Sequence, residues 1–311
     1  MTGRRYRDVA VGAPIGPGSL LWATAGDPRS LLPGSAAGIM QLMLPGLGAG
    51  VTDHSAFFDD PFGRINRSIP VIWGSIFTAD DDEGGTRGRA IRDLHPDIKG
   101  TDDQGRRYHA LDPDVFWWAH ATFTWELLRA RQLYWPIPLR RGQQEQLYAE
   151  TVAWYRRYGL SDRPVPPTLD AFRARFEEVC RTELELTPAA QWVLDPRANP
   201  EAAPAPLRLP PALAPLRGVV DHLGGEALRL LVFGAMPDSV RRRFGFPWSP
   251  ADRAGFVGLC GLLRTLEPAV RRGALDGLWP EGTPHLDGRG RVVTAPARPE
   301  RSTTVAAGAP A

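Results

Sequence analysis

Histidines are the residues of this chain with the clearest capacity for chemistry. Four of the six, His54, His95, His109 and His120, lie within residues 53–133. A neutral imidazole can bind a metal or transfer a proton near neutral pH. At least three of the four have apolar or aromatic neighbours in sequence, where an imidazole needs a hydrogen bond or a ligand to offset its burial. The sequence therefore predicts that the chemistry of the protein resides in this stretch.

His95 and His120 are the two histidines that the sequence places in apolar helical surroundings. Their separation of 25 residues matches no short zinc motif, so a mononuclear zinc site is not favoured. The site could instead hold a cofactor that needs one protein nitrogen and a large apolar pocket. Haem fits this description. The alternative is that both are core histidines, with His95 bonded to a carbonyl group and His120 to Thr122 or Thr124.

Helical periodicity recurs along the chain, and no convincing strand pattern interrupts it. The spacing predicts helices over residues 18–25, 35–43, 62–77, 86–99, 112–134, 141–158, 168–184, 217–233 and 250–266. Pro70 is expected to kink the third of them, and His95 is expected on an apolar stripe of the fourth. The sequence thus predicts an all-α fold. A single helical domain over residues 18–286 would lie between a flexible N-terminus over 1–17 and a disordered tail over 287–311.

Composition excludes several other classes of protein. The net charge is only +2 and the longest basic run is residues 241–243, so nucleic acid is not an expected partner. Cys180 and Cys260 lie in apolar helical patterns without Cys-x-x-Cys spacing, which indicates buried thiols in a reducing compartment.

Prolines and glycines interrupt the apolar segment 31–51, so we expect a buried helix there and no transmembrane segment. No signal peptide is evident, and the expected location is the cytoplasm.

Four segments carry a resemblance to a known family: HSAFFDDPFGRINRS at 54–68, AIRDLHPDIKG at 90–100, DPDVFWWAHAT at 112–122 and RFGFPWS at 243–249. Their order and spacing resemble the catalytic domain shared by rubber oxygenase, also called latex clearing protein, and the mycophenolic-acid-pathway oxygenase. The resemblance covers roughly residues 18–277. It implies an all-helical fold resembling the globin arrangement, a bound haem b with its iron, and dioxygen chemistry.

The resemblance also implies which residues carry out catalysis. Arg64, Arg67 and Ser68 match the distal motif of the rubber oxygenase and are the expected catalytic residues. The rubber oxygenase has lysine at the position that Arg67 matches, and arginine is a poor iron ligand because it does not deprotonate. Capping of the iron by this side chain is therefore not expected. The alternative is that Arg64 and Arg67 form a solvated helix face, or pair with Asp59, Asp60 or the haem propionates.

Cofactor-binding residues are implied in the same way. His95 matches the proximal haem ligand and is the expected metal ligand. His120 belongs to the Trp–Ala–His–Ala block that resembles the family's tryptophan–valine–histidine–alanine pattern, and Trp117 directly precedes this block. Together with Arg64 they are expected to form part of the cofactor site. Relatives commonly have histidine at the position of Leu44, so any role of that histidine is lost here.

The sequence therefore predicts a haem-b-dependent oxygenase or oxidase that acts with dioxygen on a small or elongated apolar substrate inside the cell. His95 would hold the iron, and Arg64 with Arg67 would stabilise negative charge that develops on dioxygen. Two alternatives stay open: a helical haem sensor or carrier without turnover, and a haem-free helical binding module whose histidines are core residues. An absorption spectrum separates the last alternative from the others, because haem gives a Soret band.

Overall fold

The computed structural model of the chain describes residues 15–199 and 217–296, apart from positions 197, 266, 271 and 274. Its helices are α1 (Leu20–Ala25), α2 (Gly34–Leu42), α3 (Pro45–His54), α4 (Pro61–Gly74), α5 (Asp81–Arg92), α6 (Pro113–Tyr134), α7 (Arg141–Arg156), α8 (Leu169–Thr182), α9 (Pro188–Leu194), α10 (Arg217–Ala235), α11 (Asp238–Arg243), α12 (Pro250–Thr265) and α13 (Glu267–Val270). Short 3-10 turns lie at Pro28–Leu31 and Asp276–Leu278. Strands β1 (Lys99–Thr101) and β2 (Arg107–His109) form one antiparallel hairpin, and β3 (Pro284–Leu286) and β4 (Val292–Thr294) form another. The all-α prediction is confirmed, whereas the resemblance to the globin arrangement stays a prediction.

Helix α6 passes through the centre of the core. The Asp112 side chain begins it by accepting a hydrogen bond from the N–H of Asp114 at 2.9 Å, with Pro113 at the first helical position. Residues on all its sides are buried, and α1, α2, α3, α7 and α12 pack around it. Burying one large apolar side chain contributes roughly 1.5–3 kcal/mol, so the aromatic and aliphatic residues of α6 stabilise much of the fold. The helix predicted over residues 112–134 is confirmed.

The apolar segment predicted to hold one buried helix contains two, α2 and α3. Pro45 occupies the first turn of α3, where its missing N–H costs no helical hydrogen bond. Most residues of α2 are buried, and the helix packs against α6. No single helix in the described part of the chain is long and apolar enough to cross a membrane. The pair Pro28–Leu42 and Pro45–His54 is long and apolar enough when taken together, but it bends by 93°.

The junction of α4 and α5 is attached to the C-terminal end of α7 by Arg157. Its Nη1 donates a hydrogen bond to the carbonyl oxygen of Ser75 at 2.7 Å, and its Nη2 pairs with Asp81 at 2.9 Å. Two glycines of α5, Gly84 and Gly88, face Arg157, and a Cβ atom at Gly88 would lie 2.3 Å from the Arg157 carbonyl oxygen. The lack of side chains at these glycines allows α5 to approach Arg157, just after the end of α7, closely.

The sequence predicts the fourth helix over residues 86–99, and this prediction is wrong at both ends. Helix α5 begins earlier because the Asp80 side chain caps it by accepting a hydrogen bond from the N–H of Glu83 at 2.8 Å. It ends earlier because Pro96 lacks an N–H and disfavours helical geometry in the residue before it. His95 therefore lies in the turn that follows α5. Leu94 is 68% exposed, so the expected apolar stripe is not buried there.

The C-terminal segment differs from the predicted disordered tail where the structure describes it. Residues 284–294 form the β3–β4 hairpin, and the N–H of Ala295 donates to the carbonyl oxygen of Thr283 at 3.0 Å. Leu286 ties the hairpin to the end of α1 by donating its N–H to the Gly26 carbonyl oxygen at 3.1 Å. The remaining predicted tail, residues 297–311, and residues 1–14 of the predicted N-terminus lie outside the described residues. The domain boundaries stay a prediction.

Deleting residues 291–311 is expected to lower the melting temperature. The deletion removes β4, so the backbone groups of β3 lose their partners, and the packing of the buried Ala295 is lost. One kcal/mol of lost stability lowers the melting temperature by about 2–4 °C in domains of 150–250 residues, which circular dichroism resolves. Equal melting temperatures of the full and shortened chains would contradict this prediction.

Candidate functional site

His95 is half-buried in the turn after α5. Its Nδ1 lies 2.8 Å from the carbonyl oxygen of Ile91. Because a carbonyl oxygen only accepts hydrogen bonds, Nδ1 carries the proton and Nε2 keeps its lone pair. Burial lowers the pKa of His95, and the nearby charge of Arg64 lowers it further. The imidazole is therefore neutral at pH 7, in the tautomer that metal binding through Nε2 requires.

Arg64, on α4, is the cation that the structure brings close enough to His95 to affect its pKa. The guanidinium is partly buried, and burial together with the neighbouring Arg67 lowers its pKa. Within the described ranges, no carboxylate forms an ion pair with Arg64. A partly buried cation without an anion is suited to bind a negatively charged group of a ligand.

Arg67 and Ser68 do not join this pair. The Arg67 side chain is 68% exposed, and its Nη1 pairs with Asp60 at 3.1 Å. This hydrogen bond lowers the pKa of Asp60, which also caps the start of α4. Ser68 donates its hydroxyl to the carbonyl oxygen of Arg64 at 3.0 Å, within the same helix. Of the three predicted catalytic residues, the structure brings only Arg64 to His95.

His120 is separated from His95 by two aromatic rings. Phe116 contacts His95 edge-on with ring centroids 5.9 Å apart, and Tyr158 lies 5.2 Å from Phe116 and 5.7 Å from His120. His120 is 6% exposed, and its Nε2 donates to the carbonyl oxygen of Thr151 at 2.9 Å. Burial lowers the pKa of His120 to about 3. His120 is thus a neutral core histidine whose partner is a carbonyl group rather than a threonine hydroxyl.

Trp117 lines a small cavity together with His120, and it also faces a part of the molecule away from His95. It is 3% exposed and lines a cavity of about 240 Å³ whose wall includes Leu44 and Pro45. The guanidinium of Arg175 lies 6.0 Å from the centroid of its ring. His95 does not line this cavity. The structure therefore does not bring Trp117 to His95.

The other two histidines of the stretch make local hydrogen bonds. The Nε2 of His54 donates to the Lys99 carbonyl oxygen at 3.2 Å, and Nδ1 of His109 accepts the N–H of Leu111 at 3.0 Å. Across the described residues, no group of three or more histidine, cysteine, aspartate or glutamate side chains could hold a metal ion. An iron ligated by His95 would therefore need a cofactor that brings the other ligands with it.

A family model described as "ER-bound oxygenase mpaB/B'/Rubber oxygenase, catalytic domain" matches residues 22–265, from within α1 to the end of α12. The chain belongs to this oxygenase family. The resemblance seen in the four sequence segments is thereby confirmed. Membership supports an oxygenase activity, with dioxygen and an organic substrate as reactants. No curated protein and no solved structure matches the chain.

Sequence reasoning missed two aromatic residues of this oxygenase that lie behind His95. Phe116 contacts the imidazole directly, and Tyr158 supports Phe116 from α7's C-terminal turn. Periodicity identifies Phe116 as a buried residue of α6 but does not give its partner on another element. The sequence signal that could have identified these two residues is composition, because aromatic residues are concentrated near His120 in α6 and near Trp154 in α7.

Replacing Arg64 with glutamine is expected to raise the pKa of His95 in the oxygenase without any bound cofactor. Removing a nearby positive charge makes protonation of the imidazole easier, while burial still holds the pKa below its ordinary 6.5. An NMR titration of the histidine ring protons measures the shift. The matched control is Arg67→Gln, which removes an exposed arginine already paired with Asp60 and should leave the pKa unchanged. Equal shifts in both variants would contradict the placement of Arg64.

Proposed function

We propose that this member of the oxygenase family depends on haem b and acts with dioxygen on a small or elongated apolar substrate. The observation that carries the proposal is the tautomer of His95, whose Nδ1 donates to Ile91 and leaves Nε2 free. Beside it lies Arg64, without a carboxylate partner in the described parts of the chain. One neutral imidazole and one partly buried cation suit a haem site, because the described residues include no cluster of three or more side chains that could hold a metal ion by themselves.

His95 and Arg64 would have different roles in this site. His95 would bind the iron through Nε2, with the hydrogen bond to Ile91 fixing the orientation of the ring. When bound, haem would supply an iron centre for dioxygen chemistry. Arg64 would donate hydrogen bonds to a propionate or to negative charge that develops on oxygen during the reaction. Partial burial strengthens these hydrogen bonds because less water competes for them.

An exposed apolar side chain neighbours each of these two residues in the sequence, and we take the pair as support for an apolar substrate. Ile65, next to Arg64, is 43% exposed, and Leu94, next to His95, is 68% exposed. Large apolar groups beside a few polar groups are typical of sites that bind an apolar ligand or macrocycle. We assign supporting roles without haem contact to His120 and Trp117, because one lies behind Tyr158 and the other lines a separate cavity.

The proposal is tested by expressing the full chain with an adequate haem supply and recording the absorption spectrum of the purified protein. We expect a Soret band and, with a reductant and an apolar substrate, consumption of dioxygen. A protein without a Soret band would exclude both haem functions. Haem binding without dioxygen consumption would favour a sensor or carrier.

Azide binding to the ferric protein is expected to depend on Arg64 and not on Arg67. A hydrogen bond to a charged group contributes roughly 1.5–3 kcal/mol, so Arg64→Gln should weaken azide binding at least about tenfold. Arg67→Gln is the matched control, because it breaks an exposed ion pair with Asp60 worth about 0–1 kcal/mol and should change azide affinity little. Spectrophotometric titration measures both. A larger loss in Arg67→Gln would place Arg67, rather than Arg64, at the anion.

A further inference from the structure

Tyr155, on α7, lies between the surroundings of His95 and a surface loop. Phe116 contacts the His95 imidazole with ring centroids 5.9 Å apart, and the Tyr155 ring lies 6.4 Å from the same Phe116 ring. Both contacts are edge-on, at separations typical of interacting aromatic rings. Tyr155 is buried, but its hydroxyl donates to the carbonyl oxygen of the exposed Ser161 at 3.1 Å. The proposed division of roles between His95 and Arg64 gives this tyrosine no function.

Two carboxylates lie near the Tyr155 phenol. Burial, together with the nearby negative charges of Asp162 and Asp114, raises the pKa of Tyr155 to about 12. Asp162 is exposed and pairs with Arg156 at 3.4 Å, whereas Asp114 pairs with Arg163 at 2.6 Å. A phenol that gives up an electron near neutral pH also gives up its proton. An exposed carboxylate beside the phenol offers that proton a route to water.

Two other tyrosines of the region each lack one of these features. Tyr148, two turns earlier on α7, also donates its hydroxyl to a loop carbonyl oxygen, but its ring contacts Phe172 and, within the described residues, none of the rings around His95. Tyr158 belongs to the aromatic cluster, but its hydroxyl bonds to Ser75, and in the described ranges no carboxylate lies close enough to affect its pKa. Of the three, Tyr155 combines ring contact towards His95 with a nearby proton acceptor.

We propose that Tyr155 is a redox-active tyrosine that removes oxidising equivalents from the site at His95 when the cofactor has been oxidised and no substrate reacts. The inference rests on the proposed haem function. Tyr155 gives one electron to the cofactor that dioxygen or a peroxide has oxidised, its O–H bond breaks, and the proton passes to water beside Asp162. A one-electron donor of the thiol or ascorbate class then reduces the phenoxyl radical, which takes a proton from water and restores the O–H bond. The side chains around the iron are thereby spared oxidation.

The first test places a photo-oxidant next to His95 and needs no haem. Leu94 is 68% exposed, whereas Cys180 and Cys260 are 0% and 3% exposed. A ruthenium tris(bipyridine) maleimide added to the full chain with Leu94→Cys therefore labels position 94. A laser flash in the presence of an external electron acceptor oxidises the ruthenium, and transient absorption records any tyrosyl radical that follows. We expect such a radical to form.

Three substitutions in the labelled chain identify the tyrosine, because phenylalanine keeps the ring and removes the oxidisable phenol. Tyr155→Phe should lose the radical signal, whereas Tyr148→Phe and Tyr158→Phe should keep it. Asp162→Asn should slow its formation, because the proton loses its exposed acceptor. A signal that survives Tyr155→Phe, or that either control abolishes, overturns the assignment of Tyr155, and formation at the parent rate in Asp162→Asn overturns the proton route.

The second test connects Tyr155 to the cofactor. The haem-loaded full chain is treated with hydrogen peroxide, frozen and measured by electron paramagnetic resonance. We expect a tyrosyl radical that Tyr155→Phe lacks and Tyr148→Phe retains. A haem-loaded chain without this radical overturns the role of Tyr155 in haem chemistry. A chain without a Soret band contradicts the haem proposal and with it this role, while the flash experiment still decides whether Tyr155 is the oxidisable residue near His95.

Discussion

Replacing His95 with alanine is expected to abolish haem retention while the helical fold persists. The imidazole is the only protein ligand that the proposed site gives to the iron, so no other side chain compensates for its loss. His95 is half-buried and lies outside α5, so the substitution removes little packing. The Soret absorbance per mole of protein after reconstitution measures haem retention, and far-UV circular dichroism verifies the fold.

Two other histidines provide controls for this prediction. His54→Ala removes an exposed ring with one hydrogen bond, to the Lys99 carbonyl oxygen, and should retain haem like the parent chain. His120→Ala removes a buried ring that packs against Trp154 and Tyr158, so it should lower stability and weaken haem retention only in part. If His120→Ala lost the haem with an intact fold while His95→Ala kept it, the assignment of the iron ligand would be inverted.

The central helix shows what local sequence can predict. The order Asp112-Pro113-Asp114 combines a capping side chain with a proline in the first turn, and these signals depend only on neighbouring residues. The apolar residues that follow on all sides of α6 require burial, so its central position follows from composition. Helix α5 was harder to predict, because Asp80 lies beyond the apolar pattern and Pro96 acts on the residue before it.

The sequence predicted only part of the candidate site, and the reason is physical. Arg64 and Arg67 are three residues apart on α4, so the helical pattern places them on neighbouring faces and does not separate their roles. What separates them is Asp60, which caps α4 and holds Arg67 at the surface, while Arg64 stays partly buried. The tautomer of His95 likewise depends on the Ile91 carbonyl group. Because α5 ends, this carbonyl oxygen does not accept the N–H of His95, which bonds to the Arg92 carbonyl oxygen, and it can accept the imidazole proton.

Gly88→Ala is expected to disturb the close contact between α5 and Arg157, at the end of α7, and with it the position of His95. The new Cβ atom would lie 2.3 Å from the carbonyl oxygen and 2.5 Å from the carbonyl carbon of Arg157. These are backbone atoms, and Arg157 is itself held by Ser75 and Asp81, so the contact cannot be relieved by a side-chain rotation. Helix α5 must move away from α7.

The expected cost of Gly88→Ala is about 1–3 kcal/mol, the usual range for an added methyl group in a packed interior, despite the better helix propensity of alanine. Haem affinity should fall as well, because His95 follows directly on the displaced helix. Thermal unfolding and haem titration measure the two effects.

Gly142→Ala is the matched control. Gly142 lies in α7, and no heavy atom lies within 4 Å of the new Cβ atom. The substitution should therefore leave haem affinity unchanged and stabilise the fold by about 0.4–1 kcal/mol. If Gly88→Ala were as stable as Gly142→Ala and bound haem equally well, the packing of α5 on α7 would not be what positions His95.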